Sequence, residues 1–355
     1  MRNSKRSAPK FNHCPVCTII PPHMLEHLAQ HCPADQRECM FRTLQLSERL
    51  RGQRDMLAFL GGVMLATPTG TKRRTIYDAE NGTKLPGALV RDEGDPAGQD
   101  LHVNEAYDYS GVTYDFFKQI FARISIDGNG MRLDSTVHYS RDYANAFWNG
   151  VQMVYGDGDG VIFERFTKSL DVIAHELAHG VTQFEAGLAY FGQPGALNES
   201  FSDVFGSLVK QWSLQQTALQ ADWLIGAGLF KPGVKGSGIR SMKAPGTAYD
   251  DPRLGKDPQP AHMRDYYDGL ADNGGVHINS GIPNRAFYLV ATALGGFSWE
   301  KAGRIWYDTL SNRIGAHTNF QEAAQATLLS AGNLFGDGSE EQRVVEGAWR
   351  QVGVL

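Results

Sequence analysis

His175-Glu176-Leu177-Ala178-His179 sits inside an apolar run, residues 170–185, whose pattern suits a helix. The two histidines stand at i and i+4. On a helix that spacing puts both imidazoles on one face, about a turn apart. Two neutral imidazoles so placed can share one Zn²⁺ at about 2.0–2.1 Å each. Glu176 follows the first histidine and can reach a water at the metal without being a ligand itself. A pair of histidines on a helix face can also be satisfied inside a core, and five residues do not separate those readings.

The segment Gly195-Ala196-Leu197-Asn198-Glu199-Ser200-Phe201-Ser202-Asp203 adds the context. A hydrolytic zinc site keeps three protein ligands and an open fourth position. Glu199 is the candidate third ligand. Asp203, four residues on and on the same helical face, can accept the free N–H of a ligating histidine and fix its tautomer. Asp171, four residues before His175, can do the same. It can also be a plain acid in the first helical turn, next to Ser169 as cap.

Working outward, the 355 residues exceed what one core usually serves, so two domains and an extension are expected. The 42% hydrophobic and 21% charged composition is that of a soluble globular chain. A net charge of −5 gives no sign of nucleic acid. Charge is uneven, however. Residues 1–55 hold nine Lys/Arg and five Asp/Glu, a net of +4, which leaves −9 on the remainder. A basic arm could dock on that acidic body.

Residues 1–20 lack the apolar core of a secretory signal. The longest apolar stretch, Met56 to Ala66, is broken by Gly61-Gly62 and is too short for a bilayer, which needs about 20 residues. It reads as a strand or buried turn. Synthesis in the cytoplasm is expected, no membrane partner is expected, and export by a non-classical route stays open. The chain is expected to be a monomer.

Three regions separate by pattern. In residues 1–60, Pro21-Pro22 precede Met24, Leu25 and Leu28, a short helix's stripe. Phe41, Leu44 and Leu50 mark a second amphipathic helix. From about 70 to 165, runs such as Thr75-Ile76-Tyr77 and Ser135 to Tyr139 suggest strands. Asn81-Gly82 and Asp127-Gly128-Asn129-Gly130 suggest hairpin turns, and Val112 to Ile124 a helix. After Ser169 the pattern is mainly helical, at 170–185, 196–211, 284–293, 299–310 and 320–331. Strands followed by helices point to an α+β fold.

Several further blocks carry a resemblance. They are Gly111-Val112-Thr113-Tyr114-Asp115, Asn145 to Gly150, Met153 to Gly158, Ile239 to Met242, and Asp272 to Gly281. With the His175–Asp203 motifs, they make the chain resemble the thermolysin family of metallopeptidases over about residues 70 to 355. Pro21-Pro22-His23-Met24-Leu25 resembles the short prosegment of that family's protealysin-like branch. The resemblance implies a β-rich N-terminal lobe, residues 61–190, and a mainly helical C-terminal lobe, residues 191–355. The active-site helix then lies between the lobes. A helical prosegment, residues 1–60, would precede them, inhibit in cis through Pro21, Pro22, Met24 and Leu25, and be removed by autoproteolysis somewhere in 50–70.

The resemblance also implies roles. His175, His179 and Glu199 would hold one catalytic zinc, and Glu176 would be the general base. His277 and Tyr190 would stabilise the oxyanion, with Asp272 orienting His277. Arg240 would fix a substrate carbonyl. Asn145 and the backbone of Ala146 would bind the peptide main chain. Phe163, Val172 and Ile239 would form an apolar pocket, which implies cleavage of peptide or protein substrates before bulky apolar residues. Relatives often carry a double calcium site. Here Lys210, Leu224 and Ala227 stand where acids are common, so that site is expected to be absent. Asp157-Gly158-Asp159-Gly160 reads as a turn rather than a calcium loop.

The four cysteines, Cys14, Cys17, Cys32 and Cys39, all lie near the N-terminus. Cys14 and Cys17, with His31 or Cys32 and then Cys39, could bind a second zinc; otherwise the cysteines could stay as thiols, pair as disulfides after export, or lend one thiolate to the catalytic zinc. A Cys/His-rich head that recognises a protein partner, with peptidase activity secondary, is the competing function. A dead scaffold is disfavoured because every expected catalytic position is filled.

Overall fold

A computed structural model of the chain describes residues 17–60 and 70–355. One lobe is built on a six-stranded sheet in the order β1-β5-β6-β4-β2-β3. Strands β2 (Arg74–Asp78) and β3 (Ala88–Arg91) form the antiparallel hairpin expected around Asn81-Gly82. β2 runs parallel to β4 (Leu133–Val137), and β4 parallel to β6 (Met153–Tyr155). β5 (Ala146–Trp148) pairs antiparallel with β6 and leaves its other edge to a strand from the N-terminal segment, β1 (Cys17–Thr18).

The β2-to-β4 crossover is a helix, α3 (Leu101–Phe121), as a parallel pair requires. It starts earlier than the pattern suggested because the Asp100 carboxylate caps the N–H groups of His102 and Val103. Asp127–Gly130 is therefore the link from α3 to β4, not a hairpin. Its Asp127 carboxylate takes the N–H groups of Asn129 and Met131.

The other lobe is helical. α4 (Leu170–Phe184) and α5 (Gly192–Leu214) pack side by side, followed by α6 (Ala271–Asn279), α7 (Gly281–Leu294), α8 (Ala302–Asn312), α9 (Phe320–Phe335) and α10 (Glu340–Gln351). Every residue of α4 from Asp171 to Thr182 is buried, the mark of a helix enclosed on all sides. α5 can approach it closely because position 206 is glycine. A Cβ there would come within 2.6 Å of the Asp171 carbonyl oxygen. α10 was not expected, although Ser339 caps it and Val345, Ala348 and Trp349 bury one face.

The N-terminal segment, expected to be a prosegment, packs as part of the molecule. α1 (Pro22–His31) buries Met24, Leu25 and Leu28 in the main core, each worth about 1.5–3 kcal/mol of burial. α2 (Ala34–Leu60) corrects two expectations. Met56–Leu60 belongs to this helix rather than to a strand, and residues 61–66 of that apolar stretch lie outside the described residues. The inward face of α2 is Cys39, Met40, Thr43 and Ser47, while Phe41 is half exposed. Polar docking explains the change. Thr43 accepts from the Ala144 N–H, and Ser47 bonds the Tyr143 hydroxyl at 2.9 Å. Among the described residues no helix is long and apolar enough to cross a membrane.

Candidate active site

α4 and α5 bring the candidate metal ligands together. The Nε2 atoms of His175 and His179 lie 3.0 Å apart, and each is 3.5 Å from a Glu199 carboxylate oxygen. Ligands of a tetrahedral zinc at about 2.0–2.1 Å stand about 3.3 Å from one another, so these spacings fit the ion. The chemistry fits as well. All three side chains are fully buried, and Glu199 Oε2 has no hydrogen-bond partner. A buried carboxylate whose two oxygens each face an imidazole nitrogen calls for a cation.

The opposite ring nitrogens are committed elsewhere. His175 Nδ1 faces an Asp203 carboxylate oxygen at 2.8 Å as an ion pair, while His179 Nδ1–H donates to Asn198 Oδ1 at 2.8 Å, with Ser202 Oγ at 3.0 Å. Both Nε2 lone pairs are thereby turned toward the metal position. Asp203 also takes a bidentate pair from Arg240, both at 2.8 Å, and an N–H from Asn284. Burial alone would raise its carboxyl. Arg240 and His175 outweigh that and hold it at about 2. Sequence reasoning missed Asn198 and Asn284. Asn198 lies within the quoted α5 segment, one residue before the ligand, but no spacing rule singles it out.

Asp171 does not support a ligand. Its carboxylate binds Ser169 Oγ at 2.5 Å, Lys210 Nζ at 3.0 Å and the Gly226 N–H. Lys210 in turn reaches Asp222 at 2.9 Å. The lysine draws Asp171 away from His175, and the i, i+4 spacing is unused.

Glu176 projects from α4 toward β5. One oxygen accepts the Trp148 N–H at 3.0 Å, and the other has no partner although the residue is fully buried. Burial pushes its carboxyl up to about 8, against the pull of His175. Across the cleft, His277 Nδ1–H donates to Asp272 at 2.7 Å. Asp272 also takes the His277 backbone N–H. Four successive left-handed residues, Asp272 to Gly275, make that return possible, and glycine fills the last two. Burial disfavours charge on His277, but Asp272 and Glu199 more than offset it, so its pKa rises. The Tyr190 hydroxyl donates to Glu199 and lies 3.2 Å from His277 Nε2. Phe163, Val172 and Ile239 are all fully buried in the main core, which also takes in Ile19.

The prosegment fills this cleft as an extended chain. Cys17 pairs with Trp148 and Thr18 with Phe147. Ile19 N–H donates to the Ala146 carbonyl, and the Ile20 N–H and carbonyl both bond the Asn145 side-chain amide. Arg240 holds the Ile19 carbonyl at 3.1 Å, and His277 Nε2–H holds the Thr18 carbonyl at 3.0 Å. Pro21, Pro22, Met24 and Leu25 follow as the buried start of α1.

The cysteines divide. Cys14 lies outside the described residues. Cys17 joins His179 and Glu199 as a metal-competent group, whereas no such group among the described residues includes Cys32 or Cys39. Cys39 instead donates its thiol to the Asp142 carbonyl. Asp157 belongs to a second group with His102 and His138. His138 is raised to about 9, chiefly by its bond to Asp157 and then by Asp100, which makes it a charged cross-link between β4, β6 and α3. Asp159 caps the turn after it through the N–H groups of residues 161–163.

Comparison with known proteins agrees with this geometry. The family description "Thermolysin metallopeptidase, catalytic domain" matches residues 65–183, and "Thermolysin metallopeptidase, alpha-helical domain" matches residues 186–354. The chain is 54% identical over 341 residues to an extracellular metalloprotease of Pectobacterium carotovorum subsp. carotovorum, covering 96% of this chain and 97% of that protein. It is 48% identical to protease PrtS of a Photorhabdus strain, covering 95% and 91%. The solved precursor of protealysin from Serratia proteamaculans superposes with a TM-score of 0.87 at 56% identity, covering 96% of this chain and all of that one. The chain belongs to the thermolysin family of metallopeptidases, in its protealysin-like branch.

Proposed function

We propose that the chain is a zinc endopeptidase, made as a self-inhibited precursor, that cleaves before bulky apolar residues and matures by cutting off its own N-terminal segment. The convergence of His175 Nε2, His179 Nε2 and the unpartnered Glu199 oxygen carries this reading. When bound there, zinc supplies Lewis acidity to a scissile carbonyl and acidifies a water. Glu176 takes the water's proton on its unpartnered oxygen and passes it to the leaving amine. His277 and Tyr190 donate to the developing oxyanion, and Asp272 keeps the His277 ring turned toward it. Arg240, Asn145 and the Ala146 backbone hold the substrate main chain.

The prosegment supports the substrate register. Ile19 has its N–H on Ala146 and its carbonyl on Arg240, the place of the residue after a cut bond. Its buried apolar side chain suits a pocket of Phe163, Val172 and Ile239. A peptide library varied at that position should give kcat/KM roughly 10–100-fold higher for Leu, Ile or Phe than for Gly or Asp. A flat profile, or a preference for charge, would sink the specificity claim.

The double calcium site is proposed to be replaced by the Lys210 ammonium, which lies within 3.0 Å of Asp171 and 2.9 Å of Asp222. Millimolar calcium should then leave the Tm of the Glu176→Gln precursor unchanged. A calcium-dependent rise in Tm would contradict that, because a ligand of the native state stabilises it. We also propose that the protein acts as a monomer, is synthesised in the cytoplasm and can reach extracellular substrates by non-classical export.

A further inference from the structure

We propose that, in the precursor, the thiolate of Cys17 is the fourth ligand of the zinc held by His175, His179 and Glu199. The inference rests on the zinc reading above and adds a covalent-strength latch to the prosegment's main-chain contacts. The backbone fixes where the thiol sits. Cys17 stands opposite Trp148 in the β1–β5 pair, and the Trp148 N–H holds Glu176. The next two carbonyls, of Thr18 and Ile19, are pinned by His277 and Arg240. The thiol is fully buried, and its sulfur, a His179 nitrogen and a Glu199 oxygen all lie within 4.8 Å of one another. His175 falls outside that set, so the sulfur approaches from the His179–Glu199 side.

Two buried atoms independently mark a place for a ligand. Glu199 Oε2 and Glu176 Oε1 have no hydrogen-bond partner and no access to solvent. The bland alternative is a core thiol packed on Tyr190 and Val276. That alternative does not account for the sulfur's place within 4.8 Å of the His179 nitrogen and the Glu199 oxygen.

The exchange balances simply. The Cys17 thiol releases its proton to solvent, its sulfur lone pair forms the bond to zinc, and one water leaves the metal. With the water gone, Glu176 has nothing to deprotonate, although the Thr18–Ile19 peptide lies in substrate register. When the strand is removed, the sulfur leaves with it and water returns. No redox partner is needed.

X-ray absorption at the zinc edge tests this on the full-length Glu176→Gln precursor, which stays uncut. The expected spectrum has one sulfur neighbour at about 2.3 Å beside nitrogen and oxygen at about 2.0–2.1 Å. Adding Cys17→Ser should remove the sulfur while one zinc per chain remains. Adding Cys14→Ser, Cys32→Ser and Cys39→Ser together instead should keep it, and this second variant assigns the sulfur even if Cys17→Ser fails to fold. One bound zinc with only nitrogen and oxygen neighbours overturns the proposal and leaves the peptidase reading standing. A sulfur lost with those three cysteines rather than with Cys17 also overturns it. A precursor that binds no zinc at all overturns both.

Discussion

Replacing Glu176 by Gln should leave the chain at its full 355 residues during storage and lower peptide hydrolysis by about 10²–10⁴-fold, while the zinc stays bound. The substitution is gentle where structure is concerned. The amide oxygen of Gln can still accept the Trp148 N–H that Glu176 accepts now at 3.0 Å. No proposed metal ligand is touched, because those are His175, His179 and Glu199. What disappears is the second carboxylate oxygen, buried and without a partner, which is the only place on this side chain for a proton in transit. Intact mass after incubation and the rate on a peptide substrate read the two effects separately. A Glu176→Gln chain that trims itself at the normal rate would exclude Glu176 as the base.

Asp203→Ala should be the most damaging single change to the folded site. It strips partners from three buried groups at once, namely the His175 ring N–H, the Arg240 guanidinium and the Asn284 amide. Arg240 is almost wholly buried, and an uncompensated buried charge costs about 3–5 kcal/mol. At about 2–4 °C per kcal/mol, Tm should fall by roughly 10 °C. Freeing the His175 ring should also weaken zinc binding by about 10–100-fold. Calorimetry and a competition titration with a chelator measure the two. Asp203→Asn keeps one acceptor and should fall between the wild type and Asp203→Ala. Unchanged Tm and zinc affinity in Asp203→Ala would show that the network is dispensable.

Much of the site was legible because its residues are close in sequence and obey helix periodicity. The 175/179 pair, Glu199 and the 199/203 spacing each reduce to one face of one helix, and all came together as expected. Asp171 obeyed the same spacing and failed, because Lys210, eleven residues beyond Glu199, competes for its carboxylate. Spacing proposes a contact, and the third dimension decides between rival partners. The prosegment strand was illegible for a different reason. Two residues, Cys17 and Thr18, are too few to show alternation, and they become a strand only because β5 offers an open edge. The inward face of α2 was only partly legible because the Thr43 and Ser47 hydroxyls join the apolar Met40, Leu44 and Leu46 in docking it.

Metal removal tests the central claim most directly. The matured enzyme should lose essentially all hydrolysis of a peptide substrate when its zinc is stripped by a chelator. Activity should return in proportion to added zinc and level off at one equivalent per chain, and a His179→Ala chain should not recover under the same titration. Full activity in a chain shown to hold no zinc, or recovery in the His179→Ala chain equal to wild type, would contradict a metal-dependent centre on His175, His179 and Glu199.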